Sequence, residues 1–208
     1  MSKHPAVRFV LRLWFWFNVA LRLVPHGALW RFSSNRELIS KDVSRWAEAF
    51  LDRPTGAPAR FADFATIMLR LPEFRALFYY RVGGISRLFW FLARPMECLS
   101  LYANSIGPGL VIQHGIGSVI VAEKIGTRCW INQQVTLGAG GPKPGFPTLG
   151  DEVGVGAGAK LLGGIVVGDR ARIGANAVVV KDVPPDVTVV GVPAYIVRRD
   201  GVRVREEL

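Results

Sequence analysis

From Val119 onward, aliphatic residues return at a fixed step of six: Val119, Ile125, Ile131 and Leu137, then Leu149, Val155, Leu161, Val167, Ile173 and Val179. The two series stay in phase across the interval between them. Glycine follows directly at Gly126, Gly138, Gly150, Gly156, Gly168 and Gly174, and Val153, Ala159, Ile165, Ala171 and Ala177 stand two places before the aliphatic residue. Neither the helical period nor the two-residue alternation of a half-buried strand generates this pattern. A six-residue period predicts a parallel β-helix: three short strands in each coil of about eighteen residues, an aliphatic side chain pointing inward from each strand, and a small residue at each tight bend. Such coils are stabilised by stacking on their neighbours. The interruption AGGPKPGFP, residues 139–147, takes the place of one repeat and cannot continue a strand. It is expected to project as a loop, and loops on a rigid scaffold commonly carry function.

The chain before this repeat reads differently. Residues 33–98 carry helical patterning, opened by Ser34-Asn35-Arg36-Glu37, which has the form of a capping box. Leu38, Val43, Trp46, Ala49 and Phe50 recur at helical spacing until DRPTGAP, residues 52–58, breaks the pattern. A second helical stretch starts near Phe61, kinks or restarts at Pro72 and stops at Gly83-Gly84. Its aromatic residues Phe74, Phe78, Tyr79 and Tyr80 read as packing. At the N-terminus, PAVRFVLRLWFWFNVALRLVP resembles a membrane span, but Arg8, Arg12 and Arg22 interrupt it, and its longest uncharged run, Leu13–Leu21, is far short of the roughly 20 residues a span needs. Arg8, Arg12, Asn18 and Arg22 share one side of the helical wheel, and Leu13, Trp14, Trp16, Phe17 and Leu21 occupy the rest. Residues 1–32 therefore read either as an amphipathic helix lying in the interface of an anionic membrane or as a helix that packs on another subunit.

Composition narrows the function classes. Half of the net charge of +10 sits in the first thirty-two residues, which hold five Lys or Arg and no acid. A basic terminal segment explains the charge better than a nucleic-acid-binding face, and no nucleic-acid partner is expected. Cys98 and Cys129, far apart and without a second pair, indicate neither a disulfide framework nor a zinc site, and fit a cytoplasmic setting, with residues 1–32 allowing a peripheral place on the membrane. Among three histidines only His114, in VIQHGIGSVIV, lies inside the repeat half. The residues alone leave it open as a core residue or as chemistry.

The stretches GPGLVIQHGIGSVIV, INQQVTLGAGG and GDEVGVGAGAKLLGGIVVGDRARIGANAVVVKDVPPDVTVVGVPAYIV together resemble the serine acetyltransferase branch of the left-handed β-helix, hexapeptide-repeat acyltransferases, over residues 106–197. LISKDVSRW and LPEFRALFYYRV resemble the helical lead-in of surface-polysaccharide acetyltransferases of that branch. The resemblance implies a mainly β fold, a left-handed parallel β-helix over residues 99–197 preceded by an α-helical N-terminal region, with residues 198–208 a charged tail. It implies a homotrimer with active sites between neighbouring β-helices, acetyl-CoA as co-substrate and no metal; a metal-dependent relative would need three histidine ligands. It places His114 as the general base, Ala139, Ala157 and Ala175 along the pantetheine groove, and Lys160 and Arg172 as cations for the CoA phosphates, though both also read as solvated charges.

The departures from the family pattern concern the acceptor. The serine enzymes of this branch bind the amino acid's ammonium with an acid just before the histidine and its carboxylate with an Arg-His pair in the loop; here Gln113 and Gly145-Phe146 occupy those places. Gln113 and Phe146 fit an uncharged, hydroxyl-rich acceptor. Leu99 stands where the acid that orients the histidine is expected, and either Glu97, two residues earlier on a predicted strand face, or a backbone carbonyl takes that role. The expectation is O-acetylation of a sugar or lipid-linked saccharide. Free serine is the alternative acceptor, and a non-catalytic hexapeptide scaffold is the alternative of another class.

Overall fold

The computed structural model describes residues 5–208, and of residues 5–8, 11, 12, 15 and 18 the backbone only. Arg8, Arg12 and Asn18 of the expected polar stripe thus lie outside the described side chains. Four helices come first: α1 (Pro5–Phe32), α2 (Arg36–Phe50), α3 (Phe61–Arg70) and α4 (Pro72–Val82). Pro72 occupies the first turn of α4, where its missing N–H costs nothing, and Gly83 ends that helix at φ 78. The expected capping box does not form. Asn35 precedes α2 without a side-chain cap, and its amide instead donates to the Arg81 carbonyl at 2.7 Å, so a tertiary contact outcompetes the local one.

The second half of α1 packs, burying Leu23 and His26, whereas Phe9, Leu13, Trp14, Trp16 and Phe17 of its first half are exposed. Among the described residues no helix is long and apolar enough to cross a membrane. Helices α2 and α4 are lashed to the start of the repeat region. The Trp46 indole donates to the Leu110 carbonyl at 2.7 Å, and the buried Arg81 guanidinium bonds Asp42 at 2.8 Å and the Gly107 carbonyl at 2.7 Å. Asp42 also accepts from the Gly109 N–H at 2.6 Å. Trp46, Arg81 and Asp42 thus tie both helices to the backbone at residues 106–110, so the helical layer holds the first coil in one position.

Fourteen strands follow: β1 (Leu99–Ile106), β2 (Val111–Ile112), β3 (Ser118–Ile125), β4 (Trp130–Ile131), β5 (Thr136–Gly138), β6 (Thr148–Leu149), β7 (Gly154–Val155), β8 (Lys160–Leu162), β9 (Val166–Val167), β10 (Arg172–Ile173), β11 (Val178–Val179), β12 (Val187–Val190), β13 (Tyr195–Arg199) and β14 (Val202–Glu207). Parallel pairing stacks them into the expected left-handed β-helix with three faces. Face I contains β2, β4, β7, β10 and β12; face II contains the first half of β3, then β5, β8 and β11; face III contains the second half of β3, then β6 and β9. The residues at 125, 131, 137, 149, 155, 161, 167, 173 and 179 are buried. Val119 is not: it is 43% exposed, and Ile120 takes the inward place, paired with Leu137. The expected tail, residues 198–208, completes an antiparallel hairpin of β13 and β14 on face I.

Candidate active site

The displacement of Val119 locates the site. Ile112 pairs with Ile131 and Ile120 with Leu137, so the corner from face I to face II spends eight residues in the first coil and six in the next. The extra length is the bend carrying His114. Its backbone sits in the left-handed region at φ 56, which His, Asn and Asp tolerate better than most residues, and its side chain is exposed with no protein hydrogen bond. This is the reverse of a core histidine.

Higher coils continue the same edge. The Gln134 N–H donates to the Ile116 carbonyl, the Gly158 N–H to Gln133, and the Asn176 N–H to Ala157, stacking the corners that carry His114, Gln133-Gln134, Ala157 and Ala175. Lys160 opens face II beside this edge, its ammonium donating to the Gln134 carbonyl at 2.6 Å. Ala157, Ala175 and Lys160 are thus brought together above His114. Ala139 and Phe146 are not: both belong to the loop at the opposite, II–III edge, where the Gly164 N–H bonds the Lys143 carbonyl at 2.8 Å and Phe146 remains 42% exposed. Nor does Arg172 join Lys160. It lies on face I, donating to the Glu152 carbonyl at 3.0 Å, so one CoA cannot be assumed to meet both.

Glu97 is not on the strand face from which it was expected to reach His114. Strand β1 begins only at Leu99, and Glu97 lies in the preceding turn, its side chain 84% exposed and 3.9 Å from Arg94. A different acidic residue packs beneath the histidine corner. Glu73, at the start of α4, is buried, and its Cγ comes within 3.4 Å of where a Cβ on Gly115 would stand, beside the Leu99 side chain at 3.2 Å. A Cβ at residue 115 would crowd that pair and the Ile112 side chain at 3.0 Å, so they would have to give way by a few tenths of an ångström. Sequence spacing gives no signal for this contact, because Glu73 reaches the corner from another element.

The acceptor-side residue Gln113 is half-buried, and its Oε1 accepts from the Trp130 indole at 3.1 Å. Trp130 stands one coil above and was missed in the sequence, although a separation close to one coil length identifies such neighbours. Also missed is a cavity of about 670 Å³ at the end of face II, lined in part by Val178, Lys181, Pro193, Tyr195 and Arg205. It adds two cations, Lys181 beyond β11 of face II and Arg205 of β14.

An edge of small residues with a solvent-facing histidine at its base defines an acyltransferase-type β-helix, and comparison with known proteins bears on which one. The family model "Bacterial transferase hexapeptide (six repeats)" matches residues 146–181. The serine acetyltransferase of Synechococcus elongatus is 43% identical over 151 residues, covering 66% of this chain and 62% of that protein. That of Bacillus subtilis is 36% identical over 160 residues, covering 70% and 73%. The structure of the soybean serine acetyltransferase complexed with serine superposes with a TM-score of 0.61 at 30% identity, covering 79% of this chain and 70% of that one. The chain belongs to the serine acetyltransferase-like hexapeptide-repeat acyltransferases. It spans less than two thirds of the Synechococcus protein and about half of the Staphylococcus aureus ones.

Proposed function

We propose that the chain is an acetyl-CoA-dependent O-acetyltransferase with His114 as its general base. The observation that carries this reading is the enlarged I–II corner, which spends two extra residues to present an unbonded imidazole at the foot of the Ala157–Ala175 edge. The acceptor hydroxyl gives its proton to the imidazole as its oxygen attacks the thioester carbonyl. The tetrahedral oxyanion then collapses, the C–S bond breaks, and the departing thiolate takes the proton back, leaving an ester and CoA. Base catalysis of this kind contributes about 10² to 10⁴ in rate. Glu73 acts as a positioning residue under the histidine bend. Lys160, Lys181 and Arg205 are the cations a CoA on face II would meet.

The relatives named above are serine acetyltransferases and support serine as the acceptor. A second reading, a hydroxyl of a sugar or lipid-linked saccharide, is favoured by the neutral Gln113, engaged by Trp130, and the apolar Phe146, which replace residues that carry charge in the serine enzymes this chain resembles. The loop with Ala139 and Phe146 lies on the edge away from His114 within one chain. In the proposed homotrimer it reaches the histidine edge of the next chain. The exposed aromatic residues of α1 serve either that assembly or an anionic membrane surface.

Intact protein incubated with radiolabelled acetyl-CoA and either serine or a saccharide panel tests the reading. Saturable serine acetylation supports the first acceptor and excludes the second; saccharide acetylation without serine turnover does the reverse. No acceptor-dependent CoA release from any of them leaves the scaffold alternative standing.

A further inference from the structure

We propose that Arg45, Arg128 and Arg172 form an anion-binding subsite on face I that receives a phosphate group of the acceptor. The inference rests on the acetyltransferase reading with the second, saccharide acceptor, and deepens it by naming that acceptor's class as a phosphorylated saccharide. The three arginines come from different elements: α2, the corner before β4, and β10. With Trp130 and Glu152 they line a cavity of about 210 Å³. Gly154 is what lets Arg172 join them. A Cβ there would stand 2.6 Å from the Arg172 Nη1 and 3.1 Å from its Cδ, so any larger residue would push the guanidinium from its place across β7.

Positive charge is in excess in this cavity. Glu48 is shared, accepting from Arg45 at 2.8 Å and from Arg128 at 3.2 Å, as well as from Thr55 at 3.2 Å. Glu152 is the other carboxylate present, so three guanidiniums face two acids. Burial, and then the charge of Arg128, push the Arg45 guanidinium below its usual range. The Arg45 Nε is buried with no hydrogen-bond partner, and the guanidinium lies 5.6 Å from the centre of the Trp130 ring. A phosphate supplies what is lacking: negative charge between like charges, and oxygens matched to guanidinium forks.

The subsite also has the right relation to His114. Trp130 bonds Gln113, the residue before the histidine, and the Arg172 guanidinium lies over Gly154, two strand spacings above β2, which puts the cavity roughly 10–15 Å from the His114 corner. Serine cannot span that interval, since its hydroxyl and carboxylate lie only about 4 Å apart at standard bond lengths. A saccharide with a phosphate or diphosphate one or two rings from the reacting hydroxyl can. The CoA phosphates are the other source of this chemistry, but Lys160 opens face II and Lys181 and Arg205 line the separate cavity beyond β11, whereas the three arginines line the cavity at Trp130.

Calorimetric titration of the intact protein with inorganic pyrophosphate, and separately with CoA, tests the assignment without requiring turnover. Saturable pyrophosphate binding that weakens at least tenfold in Arg172→Gln and in Arg128→Gln, with CoA affinity unchanged, is the expected result. No saturable pyrophosphate binding, or binding that neither substitution weakens, would overturn the subsite. Parallel loss of CoA affinity would assign the arginines to the donor and overturn the acceptor reading. Arg172-dependent pyrophosphate binding by a protein without any acetyltransferase activity would support the subsite while refuting the acetyltransfer on which its acceptor role rests.

Discussion

Replacing His114 by asparagine separates chemistry from architecture at this corner. The imidazole is exposed and makes no hydrogen bond to the protein, so its removal costs no burial and orphans no partner. The backbone at φ 56 is the remaining structural demand. Asparagine enters the left-handed region readily, whereas alanine would add up to about 1 kcal/mol of strain and confuse the result. The expected change in stability is therefore within about 0.5 kcal/mol, the usual range for a surface substitution, or about 2 °C in Tm for a chain of this length. The expected change in turnover is far larger, about 10² to 10⁴, the range for loss of a general base. CoA thiol release at saturating acetyl-CoA and acceptor measures the second, and a thermal melt of the same preparation the first. A rate within tenfold of the parent would refute the role of His114, and a melt lowered by more than about 5 °C would make the corner a structural device instead.

Glu73→Gln should lower kcat about tenfold while leaving the KM for acetyl-CoA unchanged, with partial rescue in Glu73→Asp; steady-state kinetics read this, and a rise in KM alone would count against positioning. Burial lowers the pKa of His26 below its ordinary 6.5, so the unfolded chain binds the extra proton first and stability should fall as pH drops below about 6.5. Denaturant unfolding at pH 5 and 7.5 should show that dependence in the parent and less of it in His26→Gln. A thiol reagent should label one cysteine of the native protein, because Cys98 is exposed while burial pushes the Cys129 thiol up to about 11; two fast-reacting thiols would contradict the packing of β4. Deleting residues 1–20, which spares the packed Leu23, His26 and Trp30, should release the protein from anionic liposomes if α1 lies in the interface, each basic residue contributing roughly 1 kcal/mol there. An intact protein that stays in the supernatant at low salt assigns that half of α1 to subunit packing.

The period of six was legible because every coil repeats one inward position, and nine of the ten aliphatic residues read from it are buried. The exception shows how periodicity misleads. Two residues gained at the His114 bend and one lost in the next straight segment leave Val119 six before Ile125, in phase by coincidence while Ile120 does the packing. Spacing also reveals whether a side chain points in or out, but not which of three outward faces it decorates. That is why Arg172 and Lys160, both outward and basic, looked like one site and stand on two. Glu73 and Arg45 carry no short-range signal at all, since each reaches its neighbours across the joint between helices and coils.

The same joint bears on the choice of acceptor. Both readings need a hydroxyl at His114, and they differ in where the acceptor's charge must be met. Serine carries both of its charges within about 4 Å of the hydroxyl, where the chain has Gln113 tied to Trp130. The nearest concentration of unneutralised positive charge is the arginine cavity beyond that indole, held partly by α2, which the buried Arg81–Asp42 pair fixes against the first coil. Because α2 contributes Arg45 and Glu48 to that cavity, loosening the joint should disturb acceptor binding before it disturbs the β-helix. Asp42→Asn, which leaves Arg81 buried against a neutral partner, is expected to raise the KM for the acceptor more than that for acetyl-CoA. Equal effects on both would mean that the helical layer supports the fold as a whole and has no particular share in acceptor recognition.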